Sequence, residues 1–382
     1  MGNLPKVTLL YANGNLLQDV GEIDGIGALM GTGVTPGLLG VPKTVFTLDD
    51  AVAQGFTALA EPDMYRHLQE FYAEVGGSKE LHIMITAAAT TLASMLDNTN
   101  ANGAKKLIAD AGGKVRLLGV FRHPGVGYNG GVNFIDSDVS AAIINSLVFS
   151  QARLGELVPL RVLIEGRVQN PVAANTLSPK DSLNGFAGVV LGGSLNDGSA
   201  SVGLALGRAV KYGAQVKLGK VANGPLSINQ VYIGASLLKD VANLDALHGA
   251  GFISFMNQPQ KAGFFFGIDR MASVDDYRLL AYGRIIDKAA IIAAAVYVEQ
   301  IEDEVDTDAN GNIASYVISD LEKQIEQQIN VSMASQISGV QALIAAAQNI
   351  INTGKLTVKL RIRPKGYKSF IDVELGLISP SA

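Results

Sequence analysis

The chain has 382 residues, of which 48% are hydrophobic and only 17% charged; its net charge is −5 and it contains no cysteine. The lack of cysteine excludes disulfides, thiol catalysis, zinc–thiolate sites and iron–sulfur clusters, and the acidic balance argues against a general nucleic-acid binder. This length predicts two or three domains. So small a share of charge favours a chain that other subunits cover in an assembly, although a large enzyme with a big core would have a similar composition.

The first residues predict an extended arm without a targeting segment. Val7, Leu9 and Tyr11 fall on alternate positions, as in a strand, and residues 1–20 are predicted to form an N-terminal arm. The segment lacks the apolar core of a signal peptide. The longest apolar run, residues 289–298, is about half as long as a membrane span. We therefore expect a soluble protein, made in the cytosol, without membrane insertion.

Residues 21–90 are predicted to begin the folded core. A buried strand at 25–34 ends in glycines, and a short helix follows with Thr47 at its N-cap. An amphipathic helix then ends at Gly76, which suits a helix C-terminus. Residues 80–86 are apolar and form the next strand.

Residues 91–250 continue the alternation of strands and helices. Strands are predicted at 114–122 and 159–168, with a helix at 136–157 between them, and Ser178 is predicted to cap a further short helix. Regular alternation of this kind favours an α/β fold with a largely parallel sheet. We expect this region to form an outer or inserted domain.

The pattern changes after about residue 250, towards an α+β end of the chain. Two short strands surround a Gln-Pro turn, a long apolar helix spans roughly 275–300, and a second helix is predicted at 319–337. Residues 251–354 are predicted to form the C-terminal part of the core, and residues 355–382 a C-terminal strand arm.

The C-terminal arm is predicted to contain two strands joined by a Pro-Lys-Gly turn. Its apolar and basic side chains alternate in the first strand, and apolar side chains recur in the second. The first set is Leu356, Val358, Leu360 and Ile362, alternating with Lys359, Arg361 and Arg363; the second includes Phe370, Ile371 and Val373. An isolated strand pair is marginally stable in water, so this pair must join a sheet of its own subunit or of a neighbour.

Glycine-rich loops leave a nucleotide site open as an alternative. The sequence "GVGYNG" at 125–130 has the spacing of a dinucleotide loop, yet the next helix begins only near Asp136, and its acidic start would repel a phosphate. Arg122 and His123 end a strand, where α/β enzymes place active sites. No nucleophile or base accompanies them, so no catalytic residue and no cofactor is predicted.

One acidic turn has part of the pattern of a calcium loop. Asp306, Asp308 and Asn310 occupy positions 1, 3 and 5 of such a loop, but Val317 stands at position 12, where calcium requires a bidentate glutamate. Asn310-Gly311 is also a common turn sequence. These three residues are therefore weak metal candidates, and a solvated turn is the alternative.

The order of elements resembles that of contractile tail sheath proteins from phage tails and related injection machines. The matching segments are "ALMGTG", "TLDDA" and "FYAEVGGSKELHIMI" near the N-terminus, and "FFFGIDRMAS" and "DYRLLAYGRIID" in the C-terminal third. The middle region, about 90–250, agrees only in its α/β character. The usual Pro-Gly-Val opening is absent, and "NLPKVTLL" stands in its place.

The resemblance implies a multi-domain structural subunit with mixed sheets, flanking helices and terminal strand arms, and no enzymatic activity. In that family the arms add strands to neighbouring subunits, which supplies main-chain hydrogen bonds. The implied interface residues are Val7, Leu9, Leu356, Val358, Lys359, Leu360, Arg361, Ile362, Arg363, Phe370, Ile371 and Val373. The implied partners are further copies of the chain, an inner tail tube, a baseplate and a tail terminator. Assembly would occur in the host bacterial cytoplasm, and the mature subunit would belong to a virion tail or contractile particle.

Charge suggests one further contact. Residues 355–368 carry six basic residues and no acidic one, whereas residues 299–308 carry six acidic residues and no basic one. We hypothesise that the basic strand docks on the acidic turn of a neighbour, through Glu302, Asp303, Glu304 and Asp306. The alternative is that both segments are solvated faces within one subunit.

Two other functions remain open. One is an α/β nucleotide-binding enzyme that uses the loops at 31–37 and 122–131. The other is a tail-terminator or baseplate protein, which would have the same arms but form a closed ring.

Overall fold

The computed structural model describes residues 25–125 and 127–374 of the chain. The predicted N-terminal arm at 1–20, with Val7 and Leu9, lies outside the described residues. Within the described part, none of the helices combines the length and apolar character needed to span a bilayer.

Most strands of the described residues are short and buried. They are β1 (Gly27–Gly33), β2 (Lys43–Val45), β3 (Leu81–Ala87), β4 (Leu117–Val120), β5 (Arg161–Glu165), β6 (Ala187–Leu191), β7 (Tyr232–Ile233), β8 (Ser236–Leu237), β9 (Phe252–Met256), β10 (Phe265–Phe266), β11 (Ile337–Ile344) and β12 (Val358–Pro364). The helices are α1 (Leu48–Ala53), α2 (Pro62–Val75), α3 (Leu92–Met95), α4 (Ala104–Asp110), α5 (Ser137–Gly155), α6 (Val202–Lys211), α7 (Leu244–Ala250), α8 (Leu280–Val298), α9 (Ser315–Met333) and α10 (Ile350–Thr353).

An eight-stranded sheet forms the main body, residues 25–272. Its strand order is β10-β9-β6-β5-β4-β1-β3-β2, with parallel pairs in the interior and antiparallel β2 and β10 at the two edges. The interior strands β1, β4, β5 and β6 are buried along their whole length. Burial on both faces explains why these strands read as continuous apolar runs. The predicted α/β fold with a mixed sheet is confirmed.

Helices α2 and α6 pack against each other and against β1, while α5 packs on β5 and contacts α3. Two glycines of α6 allow the close approach to α2. A Cβ at Gly203 would lie 2.2 Å from the carbonyl oxygen of His67, and one at Gly207 would lie 2.8 Å from that of Phe71. The predicted caps also form: Thr47 Oγ1 accepts a hydrogen bond from the Asp50 N–H, and Gly76 ends α2 in the left-handed conformation.

A second, smaller unit lies at the C-terminus, built from α8, α9, β11 and β12 at residues 280–364. Strands β11 and β12 form their own two-stranded antiparallel sheet. Apolar side chains of α8, α9 and β11 make a second core, to which Ala214 of the main body also belongs; its other members include Ile285, Ile292, Ile325, Ile329, Met333 and Ala342. We call residues 280–364 the C-terminal unit.

Three sequence predictions are wrong at the level of elements. The last long helix does not reach residue 337: α9 ends at Met333 and Ile337 begins β11, a strand that the sequence patterns did not predict. The second terminal strand does not form within the single chain over its described part, since residues 365–374 have no regular structure. Ser178 occupies the predicted N-cap position of the short helix that begins at Pro179, but the predicted side-chain cap is wrong, since its hydroxyl donates to the Ala250 carbonyl.

The predicted division at residues 21–90, 91–250 and 251–354 stays a prediction. Strands from all three ranges contribute to the eight-stranded sheet, with β1 in the first, β5 in the second and β9 in the third.

Candidate assembly surface

The C-terminal sheet has one apolar face and one basic face. Its register pairs Ala342 with Leu360 and Val340 with Ile362, and these four side chains pack against the core of the C-terminal unit. On the opposite face the side chains of Lys359, Arg361 and Arg363 are exposed. Strand β12 therefore finds its sheet partner within its own chain, while it presents a row of cations to solvent.

The apolar residues of the first terminal strand are engaged within their own subunit. Leu356 and Val358 pack against a small cluster of Ile313, Ile318 and Ile344. One edge of β12 is therefore paired with β11, and its apolar face packs on the C-terminal unit of the same chain. Its role in an interface between subunits stays a prediction.

The segment after β12 is held at one point and then exposed. The Tyr367 hydroxyl donates to the Gln215 carbonyl at 2.7 Å, and its ring stacks on Tyr282 at 5.7 Å between centroids. Beyond this contact Phe370 is 85% exposed, and Ile371 and Val373 are each 72% exposed. Three exposed large apolar side chains within four residues form an apolar patch, and such patches are typical of surfaces that contact another molecule.

The acidic residues of the α8–α9 loop are exposed and do not meet the basic strand. Glu302, Asp303, Glu304 and Asp306 all face solvent. Within the described residues, no ion pair of 4.0 Å or less joins any of them to a basic side chain of β12. Docking of this stretch on a neighbouring basic strand stays a prediction.

The weak calcium candidates build a turn. Asp308 Oδ1 accepts hydrogen bonds from the backbone N–H groups of Asn310 at 2.8 Å and Asn312 at 2.9 Å. These bonds lower the pKa of the Asp308 carboxyl, and Asp306 bonds to the Tyr316 hydroxyl. Among the described residues, no cluster of three or more His, Cys, Asp or Glu side chains could hold a metal ion.

The two loops of the enzyme alternative do lie together, because β1 and β4 are neighbouring parallel strands. Carboxylates, however, occupy three of the backbone N–H groups in these loops. Glu61 Oε1 accepts from the N–H groups of Val34 at 3.0 Å and Thr35 at 2.6 Å, and Glu165 accepts from the Arg122 N–H at 2.8 Å. Anion binding needs such groups free, so the geometry does not favour a nucleotide site.

The charged side chains around these loops are also paired. Arg122 lies 3.4 Å from Asp138 and its guanidinium covers the Tyr128 ring at 3.9 Å. A hydrogen bond to Asp63 raises the pKa of His123. Together these contacts hold the ends of the central strands in place, which is a structural role.

Comparison with known families assigns the chain along nearly its whole length. The model described as the DUF2586 N-terminal domain matches residues 4–270, and the model described as the DUF2586 C-terminal domain matches residues 276–381. The chain belongs to the DUF2586 family. No curated protein matches this DUF2586 chain.

Several solved structures share the fold of this DUF2586 protein. A chain of the anti-feeding prophage baseplate matches with a TM-score of 0.60 at 13% identity, covering 99% of this chain and 100% of that one. The helical sheath of the anti-feeding prophage in its contracted state gives 0.59 at 12% identity, covering 98% and 99%. The contracted PVC sheath of an extracellular contractile injection system gives 0.55 at 13% identity, covering 98% of each chain. The resemblance to sheath proteins is confirmed for the fold.

Sequence reasoning missed part of this surface. Strand β11 and the α9 carboxylates of Glu322 and Glu326, which bond to its backbone, carried no recognisable signal. Pro364, at the end of β12, could have indicated that this strand lies at the edge of its sheet, since proline within sheets occurs mainly in edge strands.

Proposed function

We propose that this DUF2586 protein is a structural, non-enzymatic subunit of a contractile tail sheath. It polymerises helically around an inner tube, remains linked to its neighbours through terminal strands, and contracts to drive the tube through a target envelope. The observation that carries the proposal is the end-to-end match to two contracted sheath chains, each covered over at least 98% of its length. Such coverage includes the C-terminal unit and the segment that follows it.

The exposed end of the chain supports this function physically. Main-chain hydrogen bonds from an added strand are each worth about 1 kcal/mol net, which is weak for one contact. Repeated on every subunit, such contacts add up through multivalency. A head-to-tail contact of this type extends into a helical filament when the rotation does not close a ring.

Contraction in this scheme is a rigid-body rearrangement. The main body, with its extensive core, moves as a unit while the strand links persist, which is a two-state change at interfaces. The remaining partners are the inner tube, the baseplate and a tail terminator. Subunits assemble in the host bacterial cytoplasm and belong to a virion tail or contractile particle when mature.

A baseplate component is the second candidate, because a chain of the anti-feeding prophage baseplate shares the fold over its full length. The two functions differ in whether the assembly of subunits closes into a ring. A sheath subunit forms open filaments, whereas a baseplate or terminator subunit forms rings of fixed size.

Electron microscopy of the purified protein, alone and co-expressed with a candidate inner-tube protein, tests the proposal. The comparison is with a chain truncated after Lys368, which keeps β12 and Tyr367 but removes the exposed segment. Hollow filaments from the full chain and none from the truncation are the expected result. Closed rings would favour the baseplate role, and monomers even with the tube protein would contradict both.

A further inference from the structure

Helix α5 has an outer face without charge. Its two charged side chains, Asp138 and Arg153, are both buried and hydrogen-bonded within the chain. Ile144 and Val148, one turn apart, are instead 67% and 56% exposed. A surface helix ordinarily carries its charges on the solvent side, so this arrangement is typical of a helix face that another molecule covers.

Leu183 extends this apolar face and is held outward by its backbone. It follows the short helix Pro179–Ser182, which packs on α5, and the next residue, Asn184, donates to the Ile143 carbonyl at 2.7 Å. The backbone of Leu183 has a φ of 53°, a left-handed conformation that disfavours a residue with a Cβ, and its side chain is 68% exposed. Backbone strain of this kind points to a functional contact. We call Ile144, Val148 and Leu183 the α5 surface.

A pocket lies beside α4, beyond the carboxyl end of β3. Leu39, Ala87 and Ala89 contribute apolar groups to its lining, Thr90 adds a hydroxyl, and Lys106 of α4 adds an exposed cation. Within the described residues, no ion pair of 4.0 Å or less involves this lysine. The pocket therefore combines apolar groups with a charge that is available to a partner. We call it the α4 pocket.

The α5 surface and the α4 pocket belong to one helical layer but to opposite flanks of it. The connections from β3 to β4 and from β4 to β5 cross the sheet in the same direction, so right-handed crossovers place α4 and α5 on the same face of the sheet. Helix α4 packs on β1 and β3, whereas α5 packs on β5 and β6, and β4 lies between these pairs. The two flanks of one body therefore cannot contact each other.

The two flanks complement each other in shape and charge. One flank presents projecting apolar side chains beside the exposed Asp181, which belongs to the short helix that packs on α5. The other presents a pocket with apolar groups and the exposed Lys106. Complementary charges around an apolar contact steer the partners and fix their register. Since the same chain carries both flanks, a second copy is the occupant that fits.

The size of the α5 surface limits how such a contact can form. Helix α5 has 19 residues and is therefore about 28 Å long. With a width of about 10 Å, its outer side offers about 300 Å², whereas a stable interface buries about 800 Å² per partner. Two free copies do not associate through this contact alone. It forms between copies that other links already hold close together, because linkage raises their effective concentration.

We propose that the α5 surface of one copy docks in the α4 pocket of the next copy in the filament, with Asp181 against Lys106. The contact joins unlike surfaces, so it repeats head to tail and does not pair two copies symmetrically. The inference rests on the proposed function, and it adds a direct contact between main bodies to the links made by the terminal strands.

Disulfide trapping in filaments of the full-length chain tests the contact, since the chain has no cysteine of its own. Leu183→Cys is combined with Thr90→Cys in one chain. The matched control combines Thr90→Cys with Val331→Cys, at a residue of α9 that is 72% exposed and so as accessible as Leu183. After oxidation, a non-reducing gel separates the products by the number of linked copies.

We expect Leu183→Cys with Thr90→Cys to give a ladder of dimers, trimers and longer products, at least tenfold above the control, because each copy offers both partners. Dimers from Leu183→Cys alone would assign the α5 surface to symmetric pairing and overturn the inference. Filaments without a ladder would also overturn it and leave the sheath function intact. An unmodified chain that forms no filament, even with a candidate inner-tube protein, would reject both.

A charge exchange tests the pairing of Asp181 with Lys106. In the chain that carries the two cysteines, Asp181→Lys should lower the yield of the ladder at least fivefold, and the further change Lys106→Asp should restore it to within twofold. An unchanged yield in the Asp181→Lys chain would contradict the pairing. Equal rescue by Lys261→Asp, at an exposed residue between β9 and β10, would show that only net charge matters and would overturn the assignment of these partners.

Discussion

The main body and the C-terminal unit differ in how far their backbone hydrogen-bonding groups and charged side chains have partners within the chain. Buried charges of the body have close partners: Arg208 lies 2.7 Å from Glu74 within the body, and Arg161 contacts both oxygens of Asp287 on α8 at 2.6 Å. In the C-terminal unit, an edge of β12 and its row of basic side chains have no partner among the described residues. The two regions therefore differ in how much of their backbone and charge is paired within the described chain.

This difference predicts that variants of the two regions affect different properties, the free energy of unfolding in one case and assembly in the other. Changes in the body should alter the free energy of unfolding, because they remove contacts made within one chain. Changes in the exposed C-terminal segment should alter assembly at nearly constant stability.

The largest effect on stability is expected from Asp287→Ala, at the contact between α8 and Arg161 of the main body. It leaves the buried Arg161 guanidinium without its carboxylate, and breaking a buried ion pair in this way costs about 3–5 kcal/mol. The free energy of unfolding from urea titration measures the loss. Glu156→Ala should cost less than Asp287→Ala, because the glutamate side chain is 49% exposed and the buried Arg153 keeps Asn98 Oδ1 as an acceptor. Equal losses for the two variants would contradict the assignment.

The next effect depends on pH. Burial raises the pKa of Asp269 to about 6, although Lys217 lies 3.5 Å away. Between the ordinary carboxyl pKa of 3.8 and about 6, the folded chain keeps a proton that the unfolded chain releases, so this residue lowers stability as the pH rises through that range.

Asp269→Asn should therefore stabilise the protein by up to about 3 kcal/mol at pH 8 and have little effect at pH 4. Urea titrations at several pH values measure this. The exposed Asp276→Asn serves as the control and should change the free energy of unfolding by less than about 0.5 kcal/mol. A pH-independent effect of Asp269→Asn would reject a raised pKa at this site.

Gly203→Ala should have a moderate effect in the body. Its Cβ would lie 2.2 Å from the His67 carbonyl oxygen, which forces α2 and α6 apart and costs about 1–3 kcal/mol. Gly155→Ala is the matched control, because a Cβ there meets no atom within 4 Å. Thermal unfolding of the two variants gives the comparison; a stable Gly203→Ala protein would show that the helix pair can separate without cost.

The smallest effect on stability, with the largest on assembly, is expected for the exposed segment. Changing Phe370, Ile371 and Val373 together to Ser should alter the free energy of unfolding by less than about 0.5 kcal/mol, since these side chains contact solvent. Sedimentation should show assembly lost. Val172→Ser, at a body residue that is 93% exposed, should change neither property, and a stability loss in the triple variant would mean that the segment packs on its own subunit.

Local chemistry along the chain determined a large part of the fold. Thr47 and Gly76 marked helix ends because capping is a property of a few adjacent residues, and the alternation from Val358 to Ile362 predicted β12 because its two faces differ in solvent exposure. Continuous apolar runs predicted the interior strands of a parallel sheet. The sheath-like order of elements also followed from the sequence and is confirmed for the fold.

Only the tertiary structure decided how β12 is paired. Strand β11 escaped prediction because its register shifts between Ile337 and Gly339, which interrupts the alternation by which a strand is recognised. The cover of its edge by Glu322 and Glu326 depends on a helix that packs beside it, and no local pattern in α9 distinguishes these carboxylates from solvated ones. Strand edges are defined by neighbours in space, so a sequence can specify a strand and its two faces, while its free edge is determined by what packs around it.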